Sequence, residues 1–190
     1  MKNVPAVIPS SLGLSLRRWR VLNRIKQDVL AHELGVSQSR ISRWESGKSH
    51  PNHKDCLRIT TLLRARADSA ADNALLHLVS RSSDPVHLVC DLTHRLLAMS
   101  PAREREWRAP VSEFLHRPLW RFATDEIRDV EHQLADLGWF EPRNDDIIYW
   151  TEAAVFPEMS IPESQIRISR LQLSDGSFAR LVREETARAA

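Results

Sequence analysis

A chain of 190 residues with 42% hydrophobic content and a formal net charge of +2 has room for one large or two small domains and the composition of an ordinary globular protein. Cys56 and Cys90 lack metal-ligand spacing and a third partner, which argues against a zinc module or a disulfide framework; with no apolar run near about 18 residues and no signal peptide, a soluble, cytoplasmic protein without a membrane partner is expected. The charge is unevenly placed, since residues 1–66 hold 13 Lys and Arg against 4 Asp and Glu and residues 67–190 hold 14 against 21, as a polyanion-binding head joined to a different kind of body would show.

In chain order, residues 1–11 contain Pro5, Pro9 and a single charge at Lys2 and read as a loose arm. Leu12, Leu16 and Trp19 mark the buried stripe of a first helix, with Arg17, Arg18, Arg20 and Arg24 around it, some of them placed to face phosphate. In Gln27 to Gly35, Leu30 and Leu34 share one side of a second helix, Ala31 is small enough for a helix crossing, and Gly35 stands where a tight turn needs a left-handed residue. From Val36 to Glu45, Ile41 and Trp44 lie three apart and share a packing face, which turns Gln38, Ser39, Ser42 and Arg43 outward. Those outward residues suit a major groove: the Gln amide matches adenine, the Arg fork matches guanine O6 and N7, and Ser is short enough not to clash. Gly47 ends the run, Pro51 opens a further helix, and Cys56, Ile59, Thr60 and Leu63 follow at helical spacing, with Cys56 as a small core residue.

The run Gln27, Leu30, Ala31, Leu34-Gly35-Val36-Ser37-Gln38-Ser39, Ile41-Ser42-Arg43-Trp44-Glu45, Gly47-Lys48, with Pro51 beyond, resembles the lambda-repressor and Cro type of helix-turn-helix, the XRE family, over residues 11–66. The resemblance implies a five-helix α module that binds double-stranded DNA. By it, Gln27 and Ser37 hold phosphates at helix starts, Gln38, Ser39 and Arg43 read bases with Ser42 beside them, and Lys48 touches the DNA backbone. It also implies an internal pair between Arg20 and Glu45, whose value is in fixing geometry more than in net stability. Two positions depart from the family pattern: Arg24 stands where a glycine is usual, and Lys26 where a Ser or Thr cap is usual.

Residues 67–83 carry Leu75, Leu76, Leu78 and Val79 and read as a linker helix, either packed on its neighbour or forming a dimer seam for a two-fold DNA site. From Asp84-Pro85 the texture changes to strands. Val86 to Cys90 and Arg95 to Met99 flank a turn, Ser100-Pro101-Ala102 opens a helix, and Thr124 caps another that runs to about Leu137. Ile147 to Trp150, Gln165 to Leu173 and Ser177 to Arg183 follow as strands, the last two joined at Ser174-Asp175-Gly176. The expected fold is therefore an α head plus an α+β body whose antiparallel sheet carries helices on one face.

That order, with Asp91 in the first turn and Ser100-Pro101-Ala102 after the second strand, resembles a PAS domain over residues 84–185. The resemblance implies a body that senses a small molecule, haem, flavin or redox state between sheet and helices, or that serves only to dimerise. Cys90 lacks an Asn-Cys-Arg flavin-adduct motif and reads as an inert core thiol. His87, His94, His116 and His132 are the candidate haem ligands, although a lone His is more often a surface or hydrogen-bonded residue, and no cofactor is expected. Trp107, Trp120, Trp139 and Trp150 are numerous for so short a domain; Cys90, Trp107, Trp120 and Trp150 are taken as lining a small-molecule pocket, with core filling as the alternative.

Glu141-Pro142-Arg143-Asn144-Asp145-Asp146 reads as a solvated loop, the five glycines form no phosphate cradle, and Val36 stands where the second His of a zinc-protease motif begun at His32-Glu33 would be needed. No catalytic constellation or metal site emerges. The expected function is a sequence-specific transcription regulator, a homodimeric repressor on a palindromic operator with a body that dimerises and senses an effector. The alternative is an antitoxin-like protein-interaction module with autoregulatory DNA binding.

Overall fold

The computed structural model of the chain describes residues 12–141 and 145–185. The arm over residues 1–11 and the centre of the polar loop, 142–144, lie outside the described residues. The chain divides into two compact units, Met1–Arg64 and Ala65–Ala190.

The first unit holds α1 (Leu12–Leu22), α2 (Gln27–Leu34), α3 (Gln38–Glu45) and α4 (His53–Leu63). Its core is the set of apolar residues whose spacing defines the helices: Leu16, Leu30, Leu34, Ile41, Trp44, Ile59 and Leu63 are all buried. Ser37 and Asn52 cap α3 and α4 by accepting from the backbone N–H groups of Arg40 and Asp55. Gly13 is required by a close approach, because a Cβ there would stand 2.0 Å from the Trp44 carbonyl oxygen. Four helices are described in this unit, one fewer than the resemblance implies. After Leu63 the backbone turns extended at Arg64, and the next helix belongs to the second unit.

That unit begins with α5 (Ala70–Ser80), followed by β1 (Val86–Cys90), β2 (Leu96–Met99), α6 (Pro101–Glu106), α7 (Asp125–Gln133), β3 (Ile147–Thr151), the short pair β4 (Ala154–Val155) and β5 (Ser160–Ile161), β6 (Ser164–Gln172) and β7 (Phe178–Glu185). Ser100 and Thr124 cap α6 and α7 as their sequence predicts. Five strands form one antiparallel sheet in the order β2-β1-β7-β6-β3, with His87 opposite Val182 and Ile166 opposite Glu184. β4 and β5 pair separately.

Side chains alternate across the sheet, so its two faces have separate cores. On one face Val86, Leu88 and Cys90 of β1 pack with Ala98 and Ala179 against Val79, Leu75 and Leu76 of α5. On the other, Val89, Met99, Trp107, Phe114, Phe122 and Met159 form a second cluster, and Leu134, Trp139, Ile166 and Ile168 a third. The predicted α+β body with helices on its sheet is the observed one, and α5 adds cover on the remaining face. The sheet takes most of the apolar stripe read as a dimer seam, leaving Leu78 72% exposed. Asp72 fastens α5 in place: it closes a capping box with Ser69 and accepts from the backbone N–H and the hydroxyl of Ser174.

The two edges of the sheet differ. Along β2, the Leu96 N–H donates to the Arg117 carbonyl at 3.1 Å and the His116 N–H donates to the Leu96 carbonyl at 2.9 Å, so a loop occupies that edge. Beyond β3 no further strand is paired among the described residues.

Candidate functional site

The reading helix of the first unit is positioned by backbone geometry. Gly35 takes φ 63, ψ 39 at the end of α2, and its N–H returns to the Ala31 and His32 carbonyls, which turns the chain sharply into α3. Ile41 and Trp44 then anchor α3 in the core, and the residues between them are left outside. Ser37, Gln38, Ser39, Arg43 and Lys48 are exposed and Ser42 is half-buried. Neither the Arg43 guanidinium nor the Lys48 ammonium is held in an ion pair with another described residue, so both charges stay available to a polyanion.

Beneath this face lies the predicted pair. Arg20 donates from Nε to Glu45 Oε1 at 2.7 Å and from Nη2 to Oε2 at 2.8 Å, a two-pronged contact, and from Nη1 to the Ile25 carbonyl at 3.0 Å. Glu45 is 7% exposed. Burial pushes its carboxyl upward, but the Arg20 and Gln27 hydrogen bonds with the Arg20 and Arg17 charges outweigh that and hold it below the usual glutamate range. The pair thereby locks the end of α3 to α1 and to the turn before α2.

Gln27, predicted at a phosphate, is half-buried and already engaged: its Nε2 donates to Glu45 Oε2 at 2.8 Å, and its Oε1 accepts from Gln38 Nε2 at 2.6 Å. A continuous chain, Arg20 to Glu45 to Gln27 to Gln38, therefore runs from the interior to the outer face. Sequence reasoning named all four residues and the Arg20–Glu45 link, and missed the two links through Gln27. Arg40, which it left unassigned, bonds Asp55 Oδ2 at 2.7 Å and lies over the Trp44 ring, tying α3 to α4. At the two departures, Arg24 takes the left-handed conformation, φ 54, that a glycine would adopt without strain, and Lys26 caps α2 with no side-chain hydrogen bond.

The second unit has a cavity of about 120 Å³ over its sheet, lined among others by His87, Trp107, Trp120, Phe122, Tyr149 and Met159. Of the four residues named for a pocket, Trp107 and Trp120 line this space. Cys90 and Trp150 do not, and sheet parity explains both. Cys90 is on the α5 face with Val86 and Leu88, one residue out of step with Val89, which lines the cavity. Trp150 shares the outer side of β3 with Ile148 and is 54% exposed, while Tyr149 points inward. Trp139 is fully buried.

Of the four histidines, His116 and His132 are exposed. His94 lines the cavity, stacks on Trp120 at 4.7 Å and stands 3.3 Å from Glu131 Oε2. His87 lies edge-on to Trp107 at 5.8 Å; burial and then the Arg103 charge bring its imidazole down to about 3, so it is neutral. The space is of the scale of engineered cavities of about 150 Å³ that hold benzene. No grouping of three or more metal-ligating side chains occurs among the described residues.

Sequence reasoning missed the charges around this cavity. Asp91, 1% exposed, accepts from Arg180 Nη2 at 2.8 Å, Arg170 Nε at 3.0 Å and Trp139 Nε1 at 3.0 Å. Arg180 also donates from Nη1 to Glu131 Oε2 at 2.9 Å. Burial works against its charge, but the Glu131 and Asp91 carboxylates hold the guanidinium well above its usual range. Arg103 is likewise buried and bonds Glu106 Oε2 at 2.7 Å, Glu184, and the Pro85 carbonyl at 2.8 Å.

Residues 16–67 match the helix-turn-helix family model, which runs from within α1 through α4. No curated protein matches the chain. Among solved structures, the chain is similar to the PAS domain of an HTR-like protein from Haloarcula marismortui, with 16% identity over 60% of this chain and 90% of that one and a TM-score of 0.43. It is also similar to a sensory box sensor histidine kinase from Vibrio cholerae, with 10% identity over 61% of this chain and 93% of that one and a TM-score of 0.38. An RNA-binding light-oxygen-voltage receptor gives 9% identity over 95% of this chain and 60% of that one, with a TM-score of 0.43.

Proposed function

We propose, starting from a helix-turn-helix head at residues 16–67, that this protein is a sequence-specific DNA-binding transcription regulator whose body holds an effector site and joins two copies. The observation that carries the reading is the outer face of α3: Gln38, Ser39 and Arg43 are exposed on a helix whose far end is fixed by the buried Arg20–Glu45 pair. Base recognition needs donors and acceptors held at fixed positions, and this helix supplies both the groups and the support. Arg43 reads guanine, Gln38 reads adenine, and Ser39 and Ser42 permit close approach. Ser37 and Lys48 contact phosphates at either end of α3.

Gln27 has a double role in this reading. Its amide orients Gln38 and touches the phosphate beside it, so its loss weakens binding generally and relaxes the choice of base that Gln38 reads. Two heads on one face of the duplex place their reading helices about 34 Å apart and bind a palindromic operator, where occupancy alone is enough to repress.

The test is selection of bound DNA from random genomic fragments by the full chain. A recovered palindrome with half-sites about one helical turn apart is expected. Salt-sensitive binding with no preferred sequence would sink the reading and favour a module whose main partner is a protein.

A further inference from the structure

Every charged side chain that lines the body cavity is already neutralised by a neighbour. Arg103 is paired with Glu106 and Glu184, and Arg180 with Asp91 and Glu131, while His94 stands against Glu131. A charged molecule entering this space would lose its water without gaining a free counter-charge, or would have to break one of these pairs.

Of the charged groups that line the cavity, only Arg103 Nε is sealed from solvent without a hydrogen-bond partner among the described residues, and it belongs to a guanidinium already paired; two uncharged groups on the cavity wall also lack a partner, the His87 imidazole, whose Nδ1 is likewise sealed, and the Tyr149 hydroxyl. Both stay neutral across the ordinary pH range, since burial and the Arg103 charge bring His87 down to about 3, and burial pushes Tyr149 up to about 12. The other hydroxyls lining the space are committed, Thr151 to Thr124 and Ser160 to the Glu106 carbonyl. The remaining wall is aromatic and aliphatic, with Trp107 edge-on to His87 and Phe122 edge-on to Phe156.

The geometry points to a neutral, planar, largely apolar ligand with one hydrogen-bonding group, of the size of a phenol, seated between Trp107, Trp120 and Phe122 with its polar group on His87. This names the effector class for the body proposed above; it rests on that effector-site reading and is independent of the head. A ring fills the apolar space, and its hydroxyl or N–H meets the edge of the His87 imidazole that borders the cavity, which can donate or accept according to its tautomer, or the Tyr149 hydroxyl.

The experiment is a titration of the full chain at neutral pH, followed by tryptophan fluorescence and by methyl shifts of Met159 and Val182, with phenol, benzene, benzoate and benzylamine as probes. Phenol should bind about five- to tenfold more tightly than benzene, the share of one net hydrogen bond. Benzoate and benzylamine should bind at least about tenfold more weakly than phenol, because their charges are desolvated without a partner. In a His87→Phe variant that retains the wild-type circular dichroism spectrum, the preference for phenol over benzene should vanish. If that variant does not fold, the probe series on the unaltered protein decides alone. Equal binding of phenol and benzene, benzoate as tight as phenol, or no saturable binding of any probe overturns the proposal. DNA selection is read on the same preparation without probe, so failure of the operator reading and failure of the ligand reading are separate results.

Discussion

The head and the body hold arginine in opposite ways. In the head, Arg43 and Arg24 are exposed on the surface, whereas Arg20 is turned inward onto Glu45 and Arg40 is tied to the buried Asp55. In the body, the side chains of Arg103, Arg170 and Arg180 are enclosed and each is bound to carboxylates. Arg81, Arg105, Arg108, Arg117, Arg121 and Arg128 remain exposed on the body, but these three arginines are committed to carboxylates inside it. The contrast teaches that charge counted along a sequence indicates a partner only where the charge is not already committed within the fold.

The comparison breaks first at Asp91. Replacing it with Ala leaves Arg170 and Arg180 buried without that partner and should cost about 3–5 kcal/mol in urea denaturation of the full chain followed by circular dichroism. A loss under about 1 kcal/mol, the worth of a solvent-exposed pair, would show that water reaches the network and that the body's arginines are not structural. In the head, Arg43→Ala should leave stability unchanged and cost about 1–3 kcal/mol in specific DNA binding, with discrimination lost at one base pair. Unchanged base preference in a selection experiment removes Arg43 from the readers.

Acid separates the two regions further. In the body, Asp72 is brought down to about 2, chiefly by the Ser174 hydroxyl and, against some desolvation, by the Ser174 backbone and Ser69 bonds. A depressed carboxylate stabilises the fold above its unfolded value of about 3.9 and loses that contribution as pH falls toward 2. The melting temperature of Asp72→Asn should therefore fall less steeply than that of the unaltered chain between about pH 4 and 2; parallel curves would show that α5 is held by its apolar face alone. The smallest effect is expected at Arg24. Its left-handed backbone makes Arg24→Gly stabilising by about 1 kcal/mol or less, because relief of strain is partly offset by a freer unfolded chain. If Arg24 also meets phosphate, the same variant weakens binding to all sequences and makes the salt dependence shallower by about one.

What was legible beforehand was local. Gly35 at the turn and Ser100-Pro101 and Thr124 at helix starts are decided within three or four residues, and each is where sequence reading puts it. The Arg20–Glu45 pair spans 25 residues and was reachable only through family resemblance. Asp91 shows why the rest was hidden: its partners Trp139, Arg170 and Arg180 lie 48, 79 and 89 residues further on, and nothing in the turn around Asp91 marks them. The β4–β5 pair is two residues on each side, too short for any period to appear. Trp150 and Cys90 were misplaced for one reason. Alternation divides a strand into two faces, but only the packed neighbours decide which face meets a cavity, which meets a helix and which meets water.

The unequal edges of the sheet set how many partners it can take. With the β2 edge met at Leu96 by the loop at His116 and Arg117, and the outer edge of β3 the one left open among the described residues, strand addition there has a valence of one. Two copies that join antiparallel through β3 use up each other's open edge about a two-fold axis, and no position remains for a third. Association by this route closes at a pair and does not run on into a fibre.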